Sequence, residues 1–157
     1  MTLDDEPGLR DLLVDASVVI NCAGPFTLAG DAVARAAIDT GTHYIDSTGE
    51  QPFIAMMFDR HGAAAERAGV ALLPALGFDY LPGDLIARIA AEEHEPLREL
   101  VVAYAVKGFG MTRGTMRSTL EIMKGGDLIY EGGGWRPAPR GATGPTSRSR
   151  TRSVGRW

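Results

Sequence analysis

Ser17-Val18-Val19-Ile20-Asn21-Cys22-Ala23-Gly24-Pro25-Phe26 decides the fold of this chain. Between Ser17 and Asn21 the run Val18-Val19-Ile20 is continuously apolar rather than alternating. A strand reads that way when both faces of a parallel sheet are covered. Gly24 and Pro25 then break the run, since glycine punctuates and proline supplies no amide donor. A buried strand ending in a glycine–proline turn predicts a strand–loop–helix unit.

Two more units follow at similar spacing. Ahead of the strand, Glu6–Val14 predicts a short helix, with Leu9, Leu12 and Leu13 at helical spacing. Behind it, Asp31 is positioned to cap a helix over Ala32–Asp39, and Gly41 falls where a C-cap belongs. His43-Tyr44-Ile45-Asp46 predicts a second strand, and a helix from Pro52 to about Ala68, ended by Gly69, follows it. Arg60 interrupts that helix's apolar stripe. Val70–Leu76 predicts a third strand, although Pro74 weakens it, and Asp84 caps Leu85–Glu93. Repeated strand–loop–helix units argue for right-handed crossovers and a parallel sheet, an α/β class. The pattern then changes: Leu97–Val106 predicts a fourth strand, Thr115–Lys124 a helix and Asp127–Tyr130 a further strand. No periodicity is legible beyond Gly132-Gly133-Gly134, so 136–157 is expected to be a disordered tail.

Charge divides the chain the same way. Of 157 residues, all 20 acids lie in 1–135 with ten of the 16 Lys and Arg, leaving that part at −10. The last 22 residues hold six arginines and no acid, so they carry +6 and the total is −4. The length suits one domain. No apolar run reaches the ~20 residues that span a bilayer, and the acidic N-terminus is unlike a signal or transit peptide. Cys22 is the single cysteine, which excludes an internal disulfide and a cysteine metal cluster and fits a cytoplasmic location.

Ligands of open parallel sheets bind beyond the carboxyl ends of the strands, which directs attention to three loops. Asn21–Phe26 offers backbone amides and an Asn side chain, with Gly24 allowing close approach; a tight strand-to-helix turn explains the same residues. Asp46 and Glu50 flank the second loop and Asp79 lies in the third. Carboxylates there suit binding a substrate amine or holding a proton, or else satisfying loop amides and a helix start. The histidines His43, His61 and His94 show no metal-ligand spacing, so no metal is expected. Cys22 reads as a small buried residue rather than a nucleophile. Lys107 reads as an edge lysine. Gly108-x-Gly110-x-x-x-Gly114 imitates a dinucleotide fingerprint, but its third glycine is one place late.

Taken together, four stretches resemble the saccharopine dehydrogenase-like NAD(P)-dependent oxidoreductases, including the actinobacterial trans-acting enoyl reductase-like branch. They are Val18–Phe26, Gly41–Glu50, Pro74–Asp84 and Arg113–Ser118, within a resemblance spanning roughly residues 4–141. The resemblance implies the later half of a Rossmann-type parallel sheet followed by the start of an α+β second domain. The corresponding limits are 1–96 for the partial NAD(P)-binding domain, 97–135 for the second domain and 136–157 for the tail. It implies NADP or NAD as cofactor, with Asn21, Ala23, Gly24, Pro25 and Phe26 beside the nicotinamide half. Asp46, Glu50 and Asp79 are implied on the substrate side as catalytic residues, with Thr48, Gly49, Gly77 and Phe78 in the same loops. Gly114, Thr115 and Ser118 match the start of the second domain. The family's first strand, Gly-rich phosphate loop and helix have no counterpart here, and Ala142–Trp157 does not resemble its continuation. The expectation is a chain truncated at both ends, with the tail resembling a change of reading frame.

Three functions follow as expectations. The first is part of an oxidoreductase passing a hydride between NAD(P)H and a small carbonyl, imine or enoyl substrate, inactive by itself. The second is a non-catalytic remnant that self-associates, as a homo-oligomer, or binds a partner through exposed sheet surface. The third, nucleic-acid binding by the arginine tail, is disfavoured by the −10 body and the lack of a recognition motif.

Overall fold

The computed structural model describes residues 5–94, 96–97, 100–105, 107–108, 110, 112–125, 128–131 and 134–138. The order of elements is α1 (Glu6–Leu13), β1 (Val18–Asn21), α2 (Phe26–Thr40), β2 (His43–Asp46), α3 (Gln51–Met56), a π-helical turn (Met57–His61) and α4 (Gly62–Ala68). β3 (Leu72–Leu73), α5 (Leu81–His94), α6 (Arg113–Gly125), β4 (Leu128–Glu131) and β5 (Gly134–Pro137) complete it. β1, β2 and β3 form a parallel sheet in that order, and β4 and β5 an antiparallel pair.

Local chemistry explains these limits. The Asp5 side chain accepts from the Gly8 amide and Pro7 sits in the first turn, which starts α1. At its other end the Thr42 hydroxyl, fully buried, donates among the carbonyls of Leu13 and Ala16. Gly41 and Gly69 end α2 and α4 in the left-handed region, at φ 72° and 67°, as the sequence predicts. Leu9, Leu13, Phe26, Val33, Ala37, Tyr44, Phe53 and Met57 meet in one core between the helices and β2. Arg10–Asp39 and Arg35–Glu6 ion pairs join α1 to α2 at 2.6 and 2.7 Å, but all four side chains are well exposed. Exposed pairs of this kind contribute little to stability.

Several sequence expectations are corrected. Asp31 does not begin a helix: α2 starts five residues earlier, directly after the cis Gly24–Pro25 peptide. Asp31 instead faces His61, whose Nε2 lies 2.8 Å from its Oδ1. The helix expected through Ala68 is divided by the π turn, which contains Arg60. β3 is only two residues long and stops just before Pro74. α5 begins at Leu81, so Asp84 lies inside its first turn rather than at its cap. Among the described residues of Leu97–Val106 there is no strand, so Lys107 does not close one. Cys22 is exposed, not buried. β5 reaches Pro137 and takes the first two residues of the expected tail into a hairpin, while residues 139–157 lie outside the described residues.

The sheet is covered unequally. Tyr44 and Asp46 face the helices and are buried. On the opposite face Val18, Ile20 and Leu73 are exposed, Ile20 by 65%. The apolar side chains Leu85, Ile86 and Ile89 of α5 are exposed as well.

Candidate functional site

The carboxyl ends of the three parallel strands bring the expected loops to one edge of the sheet. Asn21 and Asp46 are register partners there. Asn21 Oδ1 accepts from the Ala23 amide at 3.0 Å, which folds the loop back as an Asx turn. Its Nδ2 donates to the Tyr44 hydroxyl at 3.2 Å. Tyr44 and Asp46 are two residues apart on β2 and so share a face. Tyr44 was not expected as a site residue. Its place two positions before Asp46 in a strand was the signal that would have found it.

Asp46 organises the next two loops. Its Oδ1 accepts from the amides of Thr48 at 2.8 Å and Ala75 at 2.9 Å, and its own carbonyl accepts from the Leu76 amide at 2.8 Å. Ala75 holds a left-handed φ of 61°, and its amide reaches Oδ1 in that conformation. Backbone strain of this kind concentrates at functional loops. Asp46 Oδ2 is buried and has no hydrogen-bond partner among the described residues. Burial therefore pushes the Asp46 carboxyl above the ordinary carboxylate range; the loop amides and Tyr44 oppose this, and the Glu50 charge adds to it. The Tyr44 phenol is likewise pushed up, by burial first and by Asp46 second.

Glu50 is buried too, but its environment is the reverse. Oε1 accepts from the Phe26 amide at 2.9 Å, and Oε2 from the Thr27 amide and hydroxyl at 2.8 and 2.6 Å. A carboxylate from the second loop thus caps the first turn of α2, where free amides and the helix dipole favour negative charge. Burial pushes the Glu50 carboxyl up, but the Thr27 hydroxyl and amide, the Phe26 amide and the Ser118 hydroxyl together bring it below its usual value.

The remaining expected residues divide. Cys22, Ala23 and Gly24 are exposed and Pro25 is half-buried. The Phe26 side chain belongs to the core, 5.8 Å from the Phe53 ring, so only its backbone serves the loop. Thr48 is buried and donates its amide to Asp46, while its hydroxyl accepts from the Glu50 amide. Asp79 is exposed and lies over Gly77, where an added Cβ would come 2.6 Å from its Oδ1. No hydrogen bond among the described residues joins Asp79 to Asp46 or Glu50. Burial and then the Asp79 charge push the neighbouring Tyr80 phenol up, and that phenol leans on Gly49. No group of three or more His, Cys, Asp and Glu among the described residues is placed to hold a metal ion.

An exposed loop at the parallel-sheet edge thus lies beside two buried carboxyls shifted in opposite directions. Residues 1–73 match the family model described as saccharopine dehydrogenase NADP binding domain. These residues belong to that family. A lipid droplet localized protein of Caenorhabditis elegans is 38% identical over 81 residues, covering 52% of this chain and 19% of the relative. A saccharopine dehydrogenase-like oxidoreductase of Arabidopsis thaliana, named as probably mitochondrial, is 37% identical over 81 residues, 52% of this chain and 18% of the relative. A Mycobacterium tuberculosis protein named provisionally as a trans-acting enoyl reductase is 33% identical over 121 residues, 73% of this chain and 29% of the relative. The chain thus spans less than a third of the length of each of these relatives. In this saccharopine dehydrogenase-like family setting, the parallel sheet is the Rossmann-like part of an NADP-binding domain. No helix among the described residues is long and apolar enough to cross a membrane.

Proposed function

We propose that this chain forms the nicotinamide side of an NAD(P)-dependent oxidoreductase acting on a small carbonyl, imine or enoyl compound. The observation that carries the reading is the pairing of Asn21 with Asp46 at the carboxyl edge of the sheet, with Asp46 Oδ2 buried and unpaired. Enoyl reduction is the narrower form of the proposal, supported by the mycobacterial relative.

The residues present fit half of such a cofactor. The exposed residues Cys22, Ala23 and Gly24, in a loop that Asn21 folds back, suit the ribose and carboxamide of a nicotinamide nucleotide. They meet the nicotinamide half, and residues 1–17 hold no Gly-x-Gly-x-x-Gly. When bound, the nicotinamide would supply the hydride chemistry, and the protein's part is orientation and electrostatics. Asn21 holds its loop through Ala23. Asp46, whose carboxyl is raised above the ordinary range chiefly by burial, takes up a proton at the sheet edge more readily than an exposed aspartate would. Glu50 stays ionised and fixes the amides of Phe26 and Thr27. Asp79, exposed on the third loop, is the carboxylate free to meet a substrate.

The test is a fluorescence titration of the full chain with NADPH and NADH. Saturable binding weaker than micromolar is expected, because the residues that fit the cofactor meet only its nicotinamide half. Absence of saturation at millimolar cofactor rejects the reading, and micromolar or tighter binding rejects the expectation of weak binding. Turnover by this chain alone is not expected. A cytoplasmic setting is part of the proposal, supported by the lone cysteine.

A second reading, self-association, is favoured by the exposed Val18, Ile20 and Leu73 face. Sedimentation at several concentrations separates the two: a monomer throughout rejects self-association.

A further inference from the structure

We infer that helix α6 docks on the Gly24 loop through Ser118, which makes Ser118 a positioning residue of the site. The inference extends the proposed nicotinamide-side reading. Ser118 is the single residue of Thr112–Leu120 whose side chain is not exposed. A Cβ built on Gly24 would lie 3.1 Å from its Oγ, tighter than ordinary van der Waals contact. Gly24 therefore lacks a side chain where α6 comes down onto the loop, a closer constraint than a ligand's approach alone. The same hydroxyl faces the carboxylate of Glu50, which already holds the Phe26 and Thr27 amides.

A second point of attachment lies next to the first. Gln51, the residue after Glu50, accepts from the Leu128 amide at 2.7 Å across 77 residues of sequence. The short run Glu50-Gln51 thus reaches the start of α2 with one side chain and β4 with the other. Ser118 lies mid-way along α6 and Leu128 opens β4 after it, so the helix is held near both the loop and α3. α6 and β4 thus lie against the site.

The test is a double-mutant cycle on the full chain, read by amide hydrogen exchange over 115–120 without any ligand. Ser118→Ala removes a hydroxyl facing a carboxylate and is expected to speed exchange there roughly tenfold. Gly24→Ala is expected to do the same by pushing Oγ away. In the double variant the added methyl no longer meets the hydroxyl, so the two effects do not add. Unchanged exchange in Ser118→Ala, or full additivity, overturns the docking. NADPH titration of the same variants forms a separate arm. Affinity falling in Ser118→Ala with an unchanged circular dichroism spectrum supports positioning; equal affinity in Ser118→Ala and wild type rejects the positioning role. A chain that never binds NADPH loses its proposed function, and with it the positioning role, while the exchange cycle still decides the docking.

Discussion

Asn21 and Asp46 face one another across the β1–β2 register, and the Tyr44 hydroxyl that takes the Asn21 amide stands beside the Asp46 carboxyl. Three polar groups are thereby sequestered at the edge where a ligand would sit. They are not equally satisfied: Asn21 uses both ends of its amide, whereas Asp46 Oδ2 meets no donor within hydrogen-bond distance among the described residues. A buried, unpaired carboxyl oxygen is costly when charged, so folding favours the protonated form.

Asp46→Asn tests this through pH. The folded carboxyl sits above the ordinary 3.8, chiefly through burial. Its contribution to stability is complete below the ordinary value and is lost as pH rises through the folded value. Asparagine keeps an acceptor for the Thr48 and Ala75 amides and never ionises. The variant's stability relative to wild type should therefore climb as pH rises from 3 toward 7. Urea-unfolding midpoints across that range measure it, and a constant gap between the two proteins rejects the account.

Thr42→Val tests the junction of α1 with the sheet. The Thr42 hydroxyl lies 3.0 Å from the Leu13 carbonyl and 3.1 Å from that of Ala16, in a site sealed from solvent. Valine preserves the shape and removes the donor. A loss of about 1–2 kcal/mol is expected by chemical denaturation. A variant as stable as wild type would show that both carbonyls find other donors.

The sequence was most informative where structure is local. The apolar run into Asn21 made β1 legible, and Gly41 and Gly69 marked two helix ends through backbone freedom alone. The start of α2 was hidden because its cap comes from Glu50, 24 residues downstream of Phe26. Asp31 looked like a cap for want of any sign of that carboxylate. The Leu97–Val106 run had a strand's composition, but strands depend on a partner, and the described residues of that run have none. The carboxylates at 46, 50 and 79 were legible as a group. Their division into a proton-biased, an ionised and an exposed member depends on which amides reach them, and no spacing encodes that. Tyr44 was missed because a tyrosine in an apolar strand reads as core, which it also is.

Gly30→Ala probes the packing of α2 on α3. An added Cβ would lie 2.5 Å from Cε2 and Cζ of Phe53, a side chain that is 1% exposed. Alanine gains about 1 kcal/mol of helix propensity over glycine. Overpacking a rigid core costs about 1–3 kcal/mol, so a net loss is expected. Trimming the ring with Phe53→Leu in the same chain should recover part of it. Thermal unfolding of the four proteins decides the matter: equal effects of Gly30→Ala with and without the ring would show that the two residues do not compete for space.

Glu50→Gln separates the two buried carboxyls. Three hydrogen-bond donors, the Phe26 amide and the Thr27 amide and hydroxyl, meet this carboxylate at the start of a helix. Glutamine presents an NH₂ group where one acceptor oxygen stood and removes the charge that complements the helix dipole. At pH 7 the substitution should cost about 2–3 kcal/mol. The folded carboxyl lies below the ordinary 4.5, so its contribution is present above that value and is lost as pH falls through the folded one. The cost of the substitution must then shrink in acid, opposite in direction to the pH trend of wild-type Asp46. Removing the Glu50 charge also takes away one of the influences that raise Asp46, whose titration should move down. Carboxyl carbon chemical shifts of Asp46 in wild type and variant read that movement directly, and an unmoved titration would show that burial alone holds Asp46 in its proton-biased state.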